Sequence, residues 1–306
     1  FISDAVGGML ARILTGVGAG VGFVPISALI QKWFGMRHRG FALGISLAAP
    51  HVGLMVAATL LPPIVKDYSW QAGWLVLGML GASLIVTNWL FIRDRPEDLD
   101  LKPWGESEGA KASERHVVLS IPVIKQAISK RAFWLVGLSY LAMTYAIYVP
   151  LNFLVTYATK SGMEYSSASL LAAILSLLGI CGSLFAGPVS DRIGRRTTII
   201  AVKLIMSTSL VGLSYAGVGL SAFTYSALFG FSYGGIFPLY AAYAVDFFPR
   251  EVAGSILGLW TVFYGLAATV SPVASGYLAQ MSGSFSPAFL LAGIATLLSV
   301  VLILLA

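Results

Sequence analysis

The sequence predicts an all-α polytopic membrane protein of nine transmembrane helices. Three observations carry this. Of 306 residues, 58% are hydrophobic and only 10% are charged, against about 25% charged in soluble domains. Apolar runs recur along the chain, each long enough for a bilayer, which takes about 20 residues at about 1.5 Å rise. The cations between the runs gather on one side. A chain this apolar cannot hide its surface in water, so its net charge of +6 reads as topology and not as a nucleic-acid footprint. The one cysteine, Cys181, lies inside an apolar run. It offers no disulfide framework or thiol-rich metal site and reads as small buried packing.

The nine runs cover residues 5–31, 40–65, 72–92, 132–157, 167–188, 197–217, 221–247, 252–281 and 287–306. Pro25, Pro50, Pro150, Pro238 and Pro272 fall inside them, where neighbouring helices or water re-satisfy the freed carbonyls. The first run ends at Lys32, and Arg37 and Arg39 precede the second. Lys66 ends the second, and Arg93 and Arg95 follow the third. Lys130 and Arg131 precede the fourth, Lys160 ends it, and Arg192, Arg195 and Arg196 separate the fifth from the sixth. Together with Lys102, Lys111, Arg115, Lys125 and Arg250, all of these except Lys66 and Lys160 share one face. The positive-inside rule then puts the N-terminus outside and the C-terminus in the cytoplasm of a cell membrane. Lys203 lies less than two turns into the sixth run and is expected to snorkel to that face. The chain starts with Phe1 and shows no signal peptide, so its start reads as the cut edge of a longer chain.

Residues 93–131 are the one long polar stretch. Their beginning lacks apolar periodicity and reads as a mobile linker. Their end, residues 120–131, sets Ile121, Ile124 and Ile128 beside Lys125 and Lys130, as in a helix lying on the membrane face. The expected domains are therefore 1–92 with three spans, the linker 93–131, and 132–306 with six. An internal repeat supports the division. Gly22-Phe23-Val24-Pro25 and Arg39-Gly40…Gly44 recur as Gly235-Ile236-Phe237-Pro238 and Ala253-Gly254…Gly258, at offsets of 213 and 214 residues. A repeat this long is a duplicated domain, with three spans fewer in the first copy.

The charged turn Gly187-Pro188-Val189-Ser190-Asp191-Arg192-Ile193-Gly194-Arg195-Arg196 joins two spans. It resembles the loop signature between the eighth and ninth helices of the major facilitator superfamily of secondary transporters. Arg12-x-x-x-Gly16-x-Gly18 resembles that family's fourth-helix signature, and Ala49-Pro50-x-x-Gly53 its fifth-helix one, with Ala where the family writes Gly. The resemblance covers the whole chain, read as helices four to twelve of a twelve-helix fold whose two halves enclose a central path. Lys32-Trp33-Phe34, Arg39-Gly40-x-Ala42-x-Gly44 and Ser282-Gly283…Pro287-Ala288-Phe289 resemble its monocarboxylate and oxalate/formate branch. Carriers of that branch often hold an arginine where Ser183 stands here.

Several residues could carry function. Arg12 lies within a span, where an unpaired charge costs several kcal/mol. It faces a substrate anion or carboxylate, or it snorkels outward. His51 follows Pro50 in the membrane; it titrates and couples transport to protons, or it is a neutral histidine bonded across helices. Tyr145, Tyr148 and Asn152, with Thr144 and Tyr140, sit on the fourth run, and Tyr233 and Tyr240, with Tyr243, on the seventh. The resemblance makes both helices cavity-lining, and hydroxyls on an apolar wall orient a polar solute; interfacial anchoring is the other reading. Asp191, Arg192, Gly194, Arg195, Arg196, Asp246 and Arg250 are expected at one end of the second domain. There they form a latch that differs between inward-open and outward-open states, or plain surface pairs. Gly16, Gly18, Gly20, Gly22, Gly40 and Gly44 read as close-packing positions in lipid.

No nucleotide loop, metal-ligand cluster or catalytic dyad is found in the sequence, and no cofactor is expected. The chain reads as a non-enzymatic, monomeric secondary transporter of a mono- or dicarboxylate, by proton symport or anion exchange. The alternatives are a carrier of neutral or cationic solutes or drugs, a ligand sensor that moves nothing, and an inactive fragment.

Overall fold

The computed structural model describes residues 5–105, 125, 128–216, 218–248 and 250–306. Among these it forms nine long helices: α1 (Ala5–Trp33), α2 (Met36–Asp67), α3 (Trp70–Phe91), α4 (Arg131–Lys160), α5 (Tyr165–Ile193), α6 (Arg195–Ala216), α7 (Leu220–Phe247), α8 (Arg250–Ser282) and α9 (Ser286–Leu305). Each matches one predicted run; α3, α6 and α9 stop one residue short of its end, and most overrun it elsewhere by a few residues, because a helix continues into the hydrated interface until a breaker stops it. Over the described residues, seven helices are long and apolar enough to cross a membrane. The repeat appears in the lengths. α1, α2 and α3 have 29, 32 and 22 residues, and α7, α8 and α9 have 28, 33 and 20.

Two compact units are present. One comprises residues 1–47 and 63–114, the other 48–62 and 115–306, so the middle of α2 groups with the later helices. In the first unit Ser69 caps α3, its side chain accepting from the Ala72 amide. Residues 93–105, the first part of the expected mobile linker, are folded, and its residues 106–119 lie outside the described residues. Pro96–Leu99 make a 3₁₀ turn and Asp100 turns left-handed at φ 56°. The chain then returns to the α1–α2 turn, where the Gly35 amide donates to Trp104 O at 2.9 Å and the Trp104 amide to Trp33 O at 2.9 Å. The Trp33 indole also donates to Arg93 O at 2.9 Å. Backbone bonds, invisible to side-chain patterning, hold this strap. Most of the expected surface helix at 120–131 lies outside the described residues.

In the second unit α5 and α7 make the most extensive helix pair, and glycine makes it possible. A Cβ at Gly182 would strike the Phe231 carbonyl, one at Gly230 the Leu175 carbonyl, and one at Gly234 the Gly179 carbonyl. Of the glycines expected to pack closely, Gly16, Gly18 and Gly44 do otherwise, since a Cβ at any of them meets nothing within 4 Å; the surroundings of Gly20, Gly22 and Gly40 lie outside what is described. α9 packs on α4 and α6. The core beneath includes Met143, Ile147, Met206, Phe289 and Trp260, whose indole donates to Phe133 O at 3.0 Å. The turn between α5 and α6 is also tighter than expected. The helix passes through Pro188 and Asp191 to Ile193, and Gly194 alone reverses the chain at φ +88°, a conformation glycine adopts without cost.

Candidate functional site

Tyrosines of α4, α7 and α8 converge in the second unit. Tyr148 on α4 and Tyr264 on α8 share a hydroxyl–hydroxyl bond of 2.8 Å. The Tyr264 ring meets Phe237 at 5.9 Å and Tyr140 at 6.0 Å. Phe237 in turn meets Tyr233 at 5.9 Å, and Tyr233 lies 4.8 Å from the His51 ring. The wall therefore joins four residues singled out in the sequence as functional candidates, Tyr140, Tyr148, Tyr233 and His51, through Phe237 and Tyr264, which were not. Tyr264 carries the same signal as Tyr148 and Tyr233, a hydroxyl deep inside an apolar run.

His51 is 5% exposed. Its ring rests on α5 at Gly179, where an added Cβ would overlap Cδ2. Substituting Gly179 by alanine is therefore expected to push the imidazole off its seat. A shifted His51 ring resonance with an unchanged melting temperature would show this, and an unaltered resonance would refute it. One turn from Tyr148, the Tyr145 hydroxyl is enclosed without a hydrogen-bond partner among the described residues, while its carbonyl accepts from Ser271 at 2.6 Å. Such a hydroxyl keeps its bonding capacity for an entering group. Asn152 is turned inward on its own helix, its amide donating to Tyr148 O at 2.7 Å.

Tyr240, expected on the same wall, is wholly buried, and its hydroxyl faces Lys203. Lys203 overturns its own expectation. It does not snorkel; it is 0% exposed in the core of the unit. Its Nζ donates to Ser139 Oγ at 2.6 Å, Ser299 Oγ at 2.7 Å, Tyr240 Oη at 2.8 Å and Ser299 O at 3.2 Å. Side chains from α4, α7 and α9 thus hold it deep, and no run taken singly announces them.

At one end of the unit Arg195 pairs with Asp246 at 2.5 Å and donates to Ala242 O at 3.1 Å, tying the start of α6 to the end of α7. Arg196 instead caps α9 at Leu304 O, at 2.6 Å. Asp191 and Arg192 are exposed; the side chain of Arg250 lies outside the described residues. With Arg195 and Asp246 34% and 40% exposed, the pair contributes about 0–1 kcal/mol. Asp246→Asn should therefore shift the melting temperature in detergent by no more than about 2–4 °C. A larger drop would mean that the pair is a stability element. Arg12 belongs to the first unit, where its exposed guanidinium stands 5.6 Å over the Trp74 ring. Ser183 is buried, and its hydroxyl donates to Ile180 O at 2.8 Å.

Comparison with known proteins adds the following. The Major Facilitator Superfamily model matches residues 3–269 and again 166–306. Monocarboxylate transporter 12 of Rattus norvegicus is 25% identical over 95% of this chain and 64% of its own length. The MFS transporter asaE of Aspergillus flavus is 24% identical over 92% of this chain and 61% of its own length. The chain thus spans less than two thirds of these two relatives. The probable galactarate/D-glucarate transporter GudP of Escherichia coli is 24% identical over 94% of this chain and 69% of its own length. Among solved structures, the Escherichia coli fucose:proton symporter FucP aligns with a TM-score of 0.63 at 13% identity, covering 92% of this chain and 71% of that one. That likeness shows the fold.

Proposed function

The chain belongs to the Major Facilitator Superfamily of membrane transporters, and from that membership we propose that it moves a small organic acid, a mono- or dicarboxylate, by alternating access. Coupling is by proton symport or anion exchange. The carrier works as a monomer in the cell membrane with its C-terminus in the cytoplasm. The observation that carries the reading is the hydroxyl pair of Tyr148 and Tyr264, 2.8 Å apart in an aromatic wall that runs to Tyr233 and His51. Phenolic hydroxyls donate to a carboxylate, while the ring faces reject water around it. Tyr145 adds an enclosed donor, His51 is the coupling group for a proton, and Arg12 is the cationic partner of the anion. Arg195 and Asp246 latch the end of the bundle, with Asp191, Arg192, Gly194, Arg196 and Arg250 around them. The names of the relatives, monocarboxylate, galactarate/D-glucarate and hexuronate transporters, support an acid as cargo.

A neutral solute is the second reading. It is favoured by the described wall, whose side chains are hydroxyls, rings and one imidazole, with Ser183 where carboxylate carriers often hold an arginine. Counterflow of labelled lactate, oxalate and formate into proteoliposomes of the full-length protein separates the two. The acid reading expects at least one of them to move, and movement of none rejects it. Each hydroxyl bond to a charged solute is worth about 1.5–3 kcal/mol. Tyr148→Phe and Tyr264→Phe should therefore each raise KM for the transported acid by at least about tenfold. Wild-type KM in the double variant would remove the pair from the binding site.

A further inference from the structure

We propose that Lys203 is a proton-binding site, enclosed by α4, α6, α7 and α9, that takes up and releases one proton by turning a single hydroxyl, that of Tyr240. The argument is a count of donors and acceptors. The groups around Nζ are Ser139 Oγ, Ser299 Oγ, Tyr240 Oη and the Ser299 carbonyl. Among the described residues no carboxylate bonds to it. The two serines also brace each other. Ser139 Oγ donates to Ser299 O at 2.9 Å, and Ser299 Oγ donates to Ser139 O at 2.7 Å. Tyr240 Oη lies 2.9 Å from Ser139 Oγ.

Take the ammonium first. Its three N–H groups go to Ser139 Oγ, Ser299 Oγ and Tyr240 Oη, and the serine hydrogens stay on the two carbonyls. The tyrosine hydrogen goes to Ser139 Oγ, which then accepts two bonds, its full capacity. Every donor is used. Now remove one proton to water. The amine keeps two N–H groups, for Ser139 Oγ and Ser299 Oγ, and gains a lone pair. Tyr240 swings its hydrogen from Ser139 Oγ to that lone pair, and again every donor is used. No heavy atom has moved. A cage meant only to hold a permanent cation would not need the uncharged form to fit so completely, and a buried cation is ordinarily met by an acid.

The other ionisable groups nearby leave the nitrogen to these oxygens. On α4, Tyr140 lies against the Tyr240 ring at 4.6 Å. On α7, Tyr243 follows one turn on, and Asp246 is engaged by Arg195. On α6, Arg195 and Arg196 sit at the start of the helix, about 12 Å from Lys203 at about 1.5 Å per residue. Within Ser286–Leu305, α9 carries no titratable side chain. Because Nζ is fully enclosed, exchange with water requires these four helices to part, which ties the proton to conformational change. That tie rests on the transport reading above; the proton site itself does not.

The test is infrared difference spectroscopy of the purified full chain with ring-labelled tyrosine, stepped from acid to alkaline pH. The tyrosine C–O stretch reports whether the hydroxyl both donates and accepts or only donates. The expected result is a one-proton transition in that band, lost in Lys203→Met and in Tyr240→Phe. A band that never responds to pH in the wild type, or one that still responds in Lys203→Met, overturns the proposal. Should Lys203→Met fail to fold, Tyr240→Phe decides alone: persistence of the transition there is equally fatal. In proteoliposomes, counterflow of labelled lactate, oxalate or formate by Lys203→Met should lose the pH step that coincides with the infrared transition, while a step that belongs to His51 remains. A wild type that shows the band but moves none of these solutes removes the transport reading and leaves the proton site standing.

Discussion

Replacing Gly234 with valine is expected to abolish folding of the second unit, and Gly182→Leu and Gly230→Val should do the same. The reason is the identity of the atoms in the way. A Cβ at Gly234 would overlap the carbonyl of Gly179, one at Gly182 that of Phe231, and one at Gly230 that of Leu175. A flexible side chain can swing aside; a helical carbonyl cannot, because it is fixed by its own i→i−4 bond. Accommodation would therefore mean sliding α5 and α7 apart, which strips packing along the most extensive pair in the unit. In lipid, helix association rests on such packing and not on a solvent-driven term. Each change should exceed about 4 kcal/mol, the exceptional end of single substitutions. The measurement is the monodisperse fraction on size exclusion in mild detergent, with Gly187→Ala as the control, since a Cβ there meets nothing within 4 Å. A monodisperse Gly234→Val chain with wild-type melting would show that the contact is looser than drawn.

The helices were legible because each depends on about 20 successive apolar residues, a property of the local chain. The glycine contact was partly legible. Gly230 and Gly234 are spaced four apart, the small-residue pattern of close helix pairs. The same pattern at Gly16, Gly18 and Gly44 drew attention instead, although a Cβ at any of them meets open space. Spacing marks a small face but does not say which helix covers it. The aromatic wall was half legible. Tyr148 and Tyr233 announced themselves as hydroxyls at mid-span, and Tyr264 bears the same mark on the eighth run. Lys203 was misjudged because its depth is set by partners 64, 37 and 96 residues away. Within its own helix it sits near enough to an end to reach water. Only the assembled bundle supplies the oxygens that make staying inside the better option.

Stripping oxygens from around Lys203 is expected to destabilise the fold more than removing the lysine itself. Ser139→Ala with Ser299→Ala takes away the two shortest contacts of Nζ, 2.6 and 2.7 Å, and leaves the nitrogen with Tyr240 Oη and the Ser299 carbonyl. It also leaves the carbonyls of Ser139 and Ser299 without the hydroxyls that now bond to them. A buried ionisable group deprived of its partners costs about 3–5 kcal/mol. Lys203→Met, in contrast, removes the group that needs solvation and replaces it with an unbranched apolar chain that fits the same channel. The oxygens it leaves behind satisfy one another, since Ser139 Oγ lies 2.9 Å from both Tyr240 Oη and Ser299 Oγ. Its cost should be nearer about 1–3 kcal/mol. The order gives a cycle with a sign. Adding Lys203→Met to the double alanine variant should raise its melting temperature, because an apolar core is better than a half-satisfied polar one. Melting of the four proteins in one detergent measures this. A triple variant less stable than the double would mean that the side chain matters there for its bulk, and that the hydrogen bonds contribute little.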